Sequence, residues 1–143
     1  MACPYFHPIK PRTSPGSAPR IPPPLGDIWS GECRATPLHP CQPDESDLRR
    51  LCNFGYARGN CQRFPASPDG PDAVRFAISG DQGTSLRLYF AMERDHHPFA
   101  HGPLEYSIAL GAFTDPPQGN NLERQARAYV ESYLRHKIEA ERH

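Results

Sequence analysis

The stretch AVRFAISGDQGTSLRLYFAME, residues 73–93, alternates apolar and polar side chains twice, on either side of a glycine-bearing break. Val74, Phe76 and Ile78 fall on one side of the first run, and Arg75, Ala77 and Ser79 on the other. Leu86, Leu88, Phe90 and Met92 share one side of the second run. A period of two marks a strand with one buried face. With Gly80-Asp81-Gln82-Gly83-Thr84 between them, the runs predict a β-hairpin. Residues 104–113 repeat the pattern through Leu104, Tyr106, Ile108 and Leu110. They predict a third strand, reached by a loop over 94–103.

Downstream the period changes. Asn120 followed by Glu123 reads as an N-cap with its capping-box partner. Leu122, Ala126, Tyr129, Val130, Tyr133 and Leu134 then form one apolar stripe on a helix of about five turns, with Glu131 and Arg135 as an i, i+4 pair on the solvent side. Neither the stripe nor the apolar face of the sheet can stay exposed, so the helix is predicted to cover a three-stranded antiparallel meander.

Upstream the composition shifts. Eleven of the 18 prolines lie in the first 43 residues, a segment poor in aliphatic side chains. It predicts irregular or polyproline backbone, and Pro8-Ile9-Lys10-Pro11 has the P-x-x-P form of a ligand for a partner domain. Trp29, the single tryptophan, is expected to pack over the cysteines. Asp44-Glu45-Ser46-Asp47 opens a short helix to Cys52, its acidic residues placed as the helix dipole favours, with Leu48, Leu51 and Cys52 on one face and Gly55 as terminator. The fold class is α+β, one domain over residues 1–143. An irregular, proline-rich and cysteine-bearing segment, 1–71, packs on a meander-plus-helix segment, 72–143.

The 16 basic and 16 acidic side chains cancel, and no basic stripe points to nucleic acid. No apolar run has the length of a membrane span, and no secretory signal is evident. The expectation is a cytoplasmic, reducing setting, where five cysteines point to metal binding in preference to disulfides.

Cys3, Cys33, Cys41, Cys52 and Cys61 are separated by 29, 7, 10 and 8 residues. Four thiolates complete a tetrahedral zinc site or an iron–sulfur cluster. Cys3, Cys33, Cys52 and Cys61 are assigned as ligands, leaving Cys41, bracketed by Pro40 and Pro43, as the spare. Structural zinc sites pair their ligands at C-x2-4-C spacing, which this chain lacks. Long, unequal intervals among Tyr5, Phe6, Trp29, Phe54, Tyr56 and Phe64 suit a shielded [4Fe–4S] cluster better, with zinc as the alternative. Buried inert thiols, or two disulfides in an exported chain, are the competing readings.

Cys52, Phe54, Gly59 and Cys61, in C-x-F-x4-G-x-C, resemble the first half of a CCCH zinc finger of the RNA-binding kind. The second half is missing, since Cys61 is the last cysteine and the next histidine is His96. RNA binding is therefore not inferred.

Glu93, His97, His101 and Glu105 mark a histidine–carboxylate region where acid–base chemistry would be sought, against a plain polar connection. No P-loop, G-x-S-x-G, H-E-x-x-H or dinucleotide fingerprint occurs. The reading favours a non-enzymatic metal-binding protein in a structural, redox-sensing or electron-transfer role toward a protein partner. A small enzyme using the 93–105 region, with zinc as a staple, and a proline-rich interaction module are the alternatives.

Overall fold

The computed structural model describes residues 1–12, 23–36, 38–65, 70–117 and 119–141. The 73–93 alternation forms strands β3 (Ala73–Asp81) and β4 (Ser85–Arg94), paired antiparallel with Val74 opposite Met92, Phe76 opposite Phe90 and Ile78 opposite Leu88. Their apolar sides face the core as the period requires, with Val74, Leu86 and Leu88 fully buried. Strand β5 (His97–Ser107) continues the antiparallel order, and a short β6 (Ala112–Phe113) makes the sheet four-stranded.

Two expectations are corrected here. The loop expected over 94–103 is a two-residue turn, Asp95-His96, and β5 begins at His97. Both turn residues have positive φ, 52° and 63°, the geometry of a tight hairpin turn that glycine or asparagine usually supplies. Asp95 is held by its own backbone N–H, which donates to Asp72 Oδ2 at 2.7 Å. The 104–110 alternation also stops early: Leu104 and Tyr106 are buried, but the chain turns after Ser107 and Leu110 is 78% exposed.

Helix α2 (Asn120–Glu141) packs on this sheet through Phe76 and Tyr129, whose rings stack at 5.7 Å. Its first backbone bond runs from Glu123 N–H to the Gly119 carbonyl, so the helix already includes Asn120. Asp81 anchors the far end, accepting from Tyr133 Oη at 2.7 Å and Lys137 Nζ at 2.9 Å. The expected Glu131–Arg135 pair does not form. Arg135 instead pairs with Asp27, and Glu131 lies 3.6 Å from Arg124.

The N-terminal part is more regular than its prolines predict. Phe6–Arg12 (β1) and Ile28–Cys33 (β2) form an antiparallel ribbon with a bulge between Pro8 and Lys10. Proline is tolerated in a strand at an edge or a bulge, where its missing N–H breaks no ladder bond. Pro8 and Pro11 therefore lie inside a strand, opposite Gly31 and Trp29. The ribbon leaves no room for a side chain at Gly31, where an added Cβ would stand 2.1 Å from the His7 carbonyl oxygen. Pro15, Pro19 and Pro22 fall outside the described residues.

The ribbon packs on a second face of α2 that the apolar stripe does not announce. Gln125, Ala128 and Ser132 are all buried there. Gln125 Nε2 donates to the carbonyls of Cys3 and Phe6, both at 2.8 Å, and Trp29 Nε1 lies 3.2 Å from both the Leu25 carbonyl and Ser132 Oγ. Gly26, at φ 84°, passes so close to the helix that a Cβ would meet Ser132 Cβ at 2.5 Å. Helix α2 thus carries the sheet on one side and the cysteine-bearing segments on the other. Among the described residues, no helix is long and apolar enough to cross a membrane.

Candidate metal centre

Four short segments deliver the cysteines. Cys3 precedes β1, donates its N–H to the Cys52 carbonyl at 3.0 Å, and has its own carbonyl fixed by Gln125. Residues 1–6 thus lie against the cysteine loop, with Ala2 also bridged to Val74. Cys33 ends β2, opposite Phe6. Cys52 ends a π-helical turn, Leu48–Cys52, that continues a one-turn helix α1 (Glu45–Asp47) capped by Asp44 Oδ1. Single π turns recur at functional sites because the extra residue re-aims a side chain. Cys61 closes the following loop, its N–H donating to the Ala57 carbonyl at 2.7 Å, with positive-φ Gly55 and Gly59 making the bends between.

Asn53 ties these segments together. It is fully buried. Its Oδ1 accepts from the Trp29 N–H at 2.8 Å, and its Nδ2 donates to the Trp29 and Leu48 carbonyls. One amide thus joins the strand that carries Cys33 to the turn that carries Cys52. The sequence flagged neither Asn53 nor Gln125, because lone amides carry no periodic signal.

Cys3, Cys33, Cys52 and Cys61 line one cavity of about 20 Å³, together with Phe6, Leu51, Ala57, Pro43, Asp47 and Arg63. That is roomier than the roughly 10–15 Å³ a single water needs. Cys41 is not among its lining residues. Of the expected aromatic shield only Phe6 lines the cavity. Trp29 is not among the lining residues; its indole meets Ser132 Oγ and the Arg124 guanidinium, 5.4 Å from its ring. Cys61 alone of the four also borders an open cleft of about 390 Å³, lined by Arg58, Asn60, Gln62 and Phe64 among others.

The thiols act on one another electrostatically. Burial pushes the Cys3 thiol up to about 12, with Cys33 and Cys61 adding to the rise. Cys52 is raised by burial and then by Cys3, Cys33 and Cys61, and Cys33 by burial and then by Cys41 and Cys61. Without metal these three thiols stay protonated well above neutral pH. An unfolded thiol ionises near pH 8.5, by about one charge per group. The folded state therefore keeps protons that the unfolded state loses, and stability that is whole below about pH 8.5 declines as pH rises toward the folded value. Thermal unfolding of the reduced, metal-free protein is expected to show a midpoint lower at pH 10 than at pH 7.5. Cys3→Ala should flatten that fall, and an equal fall in Cys3→Ala would remove the thiol as its cause.

Among the described residues, no group of three or more His, Cys, Asp or Glu is placed to hold a metal ion. The histidine–carboxylate region does not converge either. Glu93 accepts from Tyr56 Oη at 2.9 Å, His97 lies opposite Arg94, His101 contacts Tyr89 Oη, and Glu105 lies opposite Arg87. His97 and His101, four residues apart on an extended strand, are separated by roughly 13 Å. What that region does is dock on the cysteine loop. His96 packs against Tyr56 at 4.5 Å, and Arg58 bridges Asp72 and Asp95. Compared with protein-family models, curated proteins and solved structures, the chain matches no family, no curated relative and no solved structure.

Proposed function

We propose that Cys3, Cys33, Cys52 and Cys61 are the ligands of a [4Fe–4S] cluster. The observation that carries this reading is that four thiols from four separate segments line one cavity from which the fifth is absent. The donor set fits: it is all thiol, and Gln125 and Asn53 fix the backbone of the segments that carry Cys3, Cys33 and Cys52. Such outer contacts orient ligands and tune a centre. A cluster of four irons is broader than one ion and spreads its thiolates farther apart. The lack of any C-x2-4-C pair among these thiols favours it over zinc. Bound, the cluster supplies one-electron chemistry or a structural staple, and Cys61, at the open cleft, is the ligand that an electron-exchanging protein partner would approach. Five free thiols suit a reducing, cytoplasmic compartment.

Anaerobic purification followed by iron, sulfide and zinc analysis and a visible spectrum tests the assignment. The expected result is a brown protein with about four irons per chain. One zinc and no colour would assign the thiols to a zinc staple, and no metal under reducing conditions would end the proposal.

A further inference from the structure

Cys41, the thiol outside the cavity, does not stand apart from the centre. It forms an isolated antiparallel bridge with Cys33. Cys33 N–H donates to the Cys41 carbonyl at 2.7 Å, and Cys41 N–H donates back to the Cys33 carbonyl at 3.2 Å. Residues that exchange both bonds lie directly opposite one another, with Cα atoms about 5.5 Å apart. Their side chains leave the same face of the ribbon. That spacing falls within the roughly 4.4–6.8 Å range that disulfides require. Cys33 is central in a three-residue row, with Phe6 opposite on one side and Cys41 on the other. Both cysteines are reduced and partly exposed.

We infer that Cys33 and Cys41 are a reversible dithiol–disulfide pair, and that closing it withdraws Cys33 from the four-thiol centre. The oxidant class is a hydroperoxide. Cys41 Sγ attacks the terminal peroxide oxygen, the O–O bond breaks, and with hydrogen peroxide one water leaves, giving a sulfenic acid. Cys33 Sγ then attacks Cys41 Sγ, the S–S bond forms, and the hydroxyl leaves as a second water. Two thiols lose two electrons and two protons, and one peroxide becomes two waters. The centre then has three thiols in place of four, and its metal is released. The pair gives Cys41 a role that ligation leaves empty. The metal half of this inference rests on the proposed function; the disulfide half does not.

The experiment therefore has two arms. Metal-free, reduced protein is treated with one equivalent of hydrogen peroxide, capped with a maleimide and digested with trypsin. Cleavage after Arg34 separates the two cysteines, so a Cys33–Cys41 bond appears as peptide 21–34 joined to peptide 35–49. That species is expected to dominate, and a different dominant pairing overturns the inference. In the second arm, metal-loaded wild type and Cys41→Ser are exposed to peroxide while metal release is followed. Release from Cys41→Ser is expected to be slower by about tenfold or more, and equal rates overturn the switch. A protein that holds no metal defeats the proposed function alone, and the peptide map still decides the disulfide.

Discussion

In Cys52→Ser protein, bound metal is expected to fall to background while Cys41→Ser retains the full wild-type content, as the proposed ligand set requires. Cys52 lines the cavity, is raised by burial and by three neighbouring thiols, and accepts the Cys3 N–H on its carbonyl. A serine hydroxyl keeps the shape but is a far weaker ligand for a soft metal. The expected loss exceeds the roughly 10–100-fold drop in affinity that removal of an outer-shell partner causes. Cys41 contributes no surface to the cavity, so its replacement leaves the donor set whole. Metal analysis of both variants after parallel anaerobic purification decides the matter, with circular dichroism to check folding. Metal loss in Cys41→Ser with retention in Cys52→Ser would reverse the ligand assignment.

The largest loss of stability is expected at Trp29→Ala. Trp29 is the largest fully buried side chain, and its removal from a packed interior costs about 3–5 kcal/mol. That is a large fraction of the roughly 5–15 kcal/mol that holds a domain together. The indole also spans the seam between ribbon and helix through its Nε1 contacts with Leu25 and Ser132. Trp29→Phe keeps most of the ring and loses the one N–H that those acceptors share, worth about 1 kcal/mol, so it should fall between wild type and Trp29→Ala. Denaturant unfolding of the three proteins measures both steps. A Trp29→Ala loss under about 1 kcal/mol would show that the seam is held elsewhere. Because Asn53 bonds to the Trp29 backbone and not to its ring, Trp29→Phe is expected to keep its metal.

The hairpin, the C-terminal helix and the α+β class were legible in the sequence because each rests on a long periodic run. Val74, Phe76, Leu86 and Leu88 point where their spacing says, and Ala126 and Val130 are buried. The β1–β2 ribbon was not legible, since Pro8 and Pro11 argue against strand and only the bulge with its edge position admits them. The second buried face of α2 was hidden for another reason. Gln125 and Ser132 are polar, and their burial depends on partners more than a hundred residues away, the Cys3 carbonyl for Gln125 and the Trp29 indole for Ser132. The Asp95-His96 turn lacks the glycine that would have announced it, and Asp72 supplies from outside what local sequence does not. At the centre, the five thiols could be listed from sequence and a ligand set chosen, but nothing local places Cys41 across from Cys33. That pairing is a property of the ribbon.

The bond from Gln125 to the Cys3 carbonyl spans 122 positions, and this long reach bears on the order in which the molecule assembles. Loops of that length close slowly, and contacts of high sequence separation come late in folding. During synthesis the segments with Cys33, Cys52 and Cys61 leave the ribosome long before residues 120–141. Cys3 precedes all of them in the chain, yet its tie to Gln125 forms last. On the proposed ligand set, the four-thiol centre would be completed only after the helix has docked, and until then Cys33 and Cys41 are close neighbours in sequence.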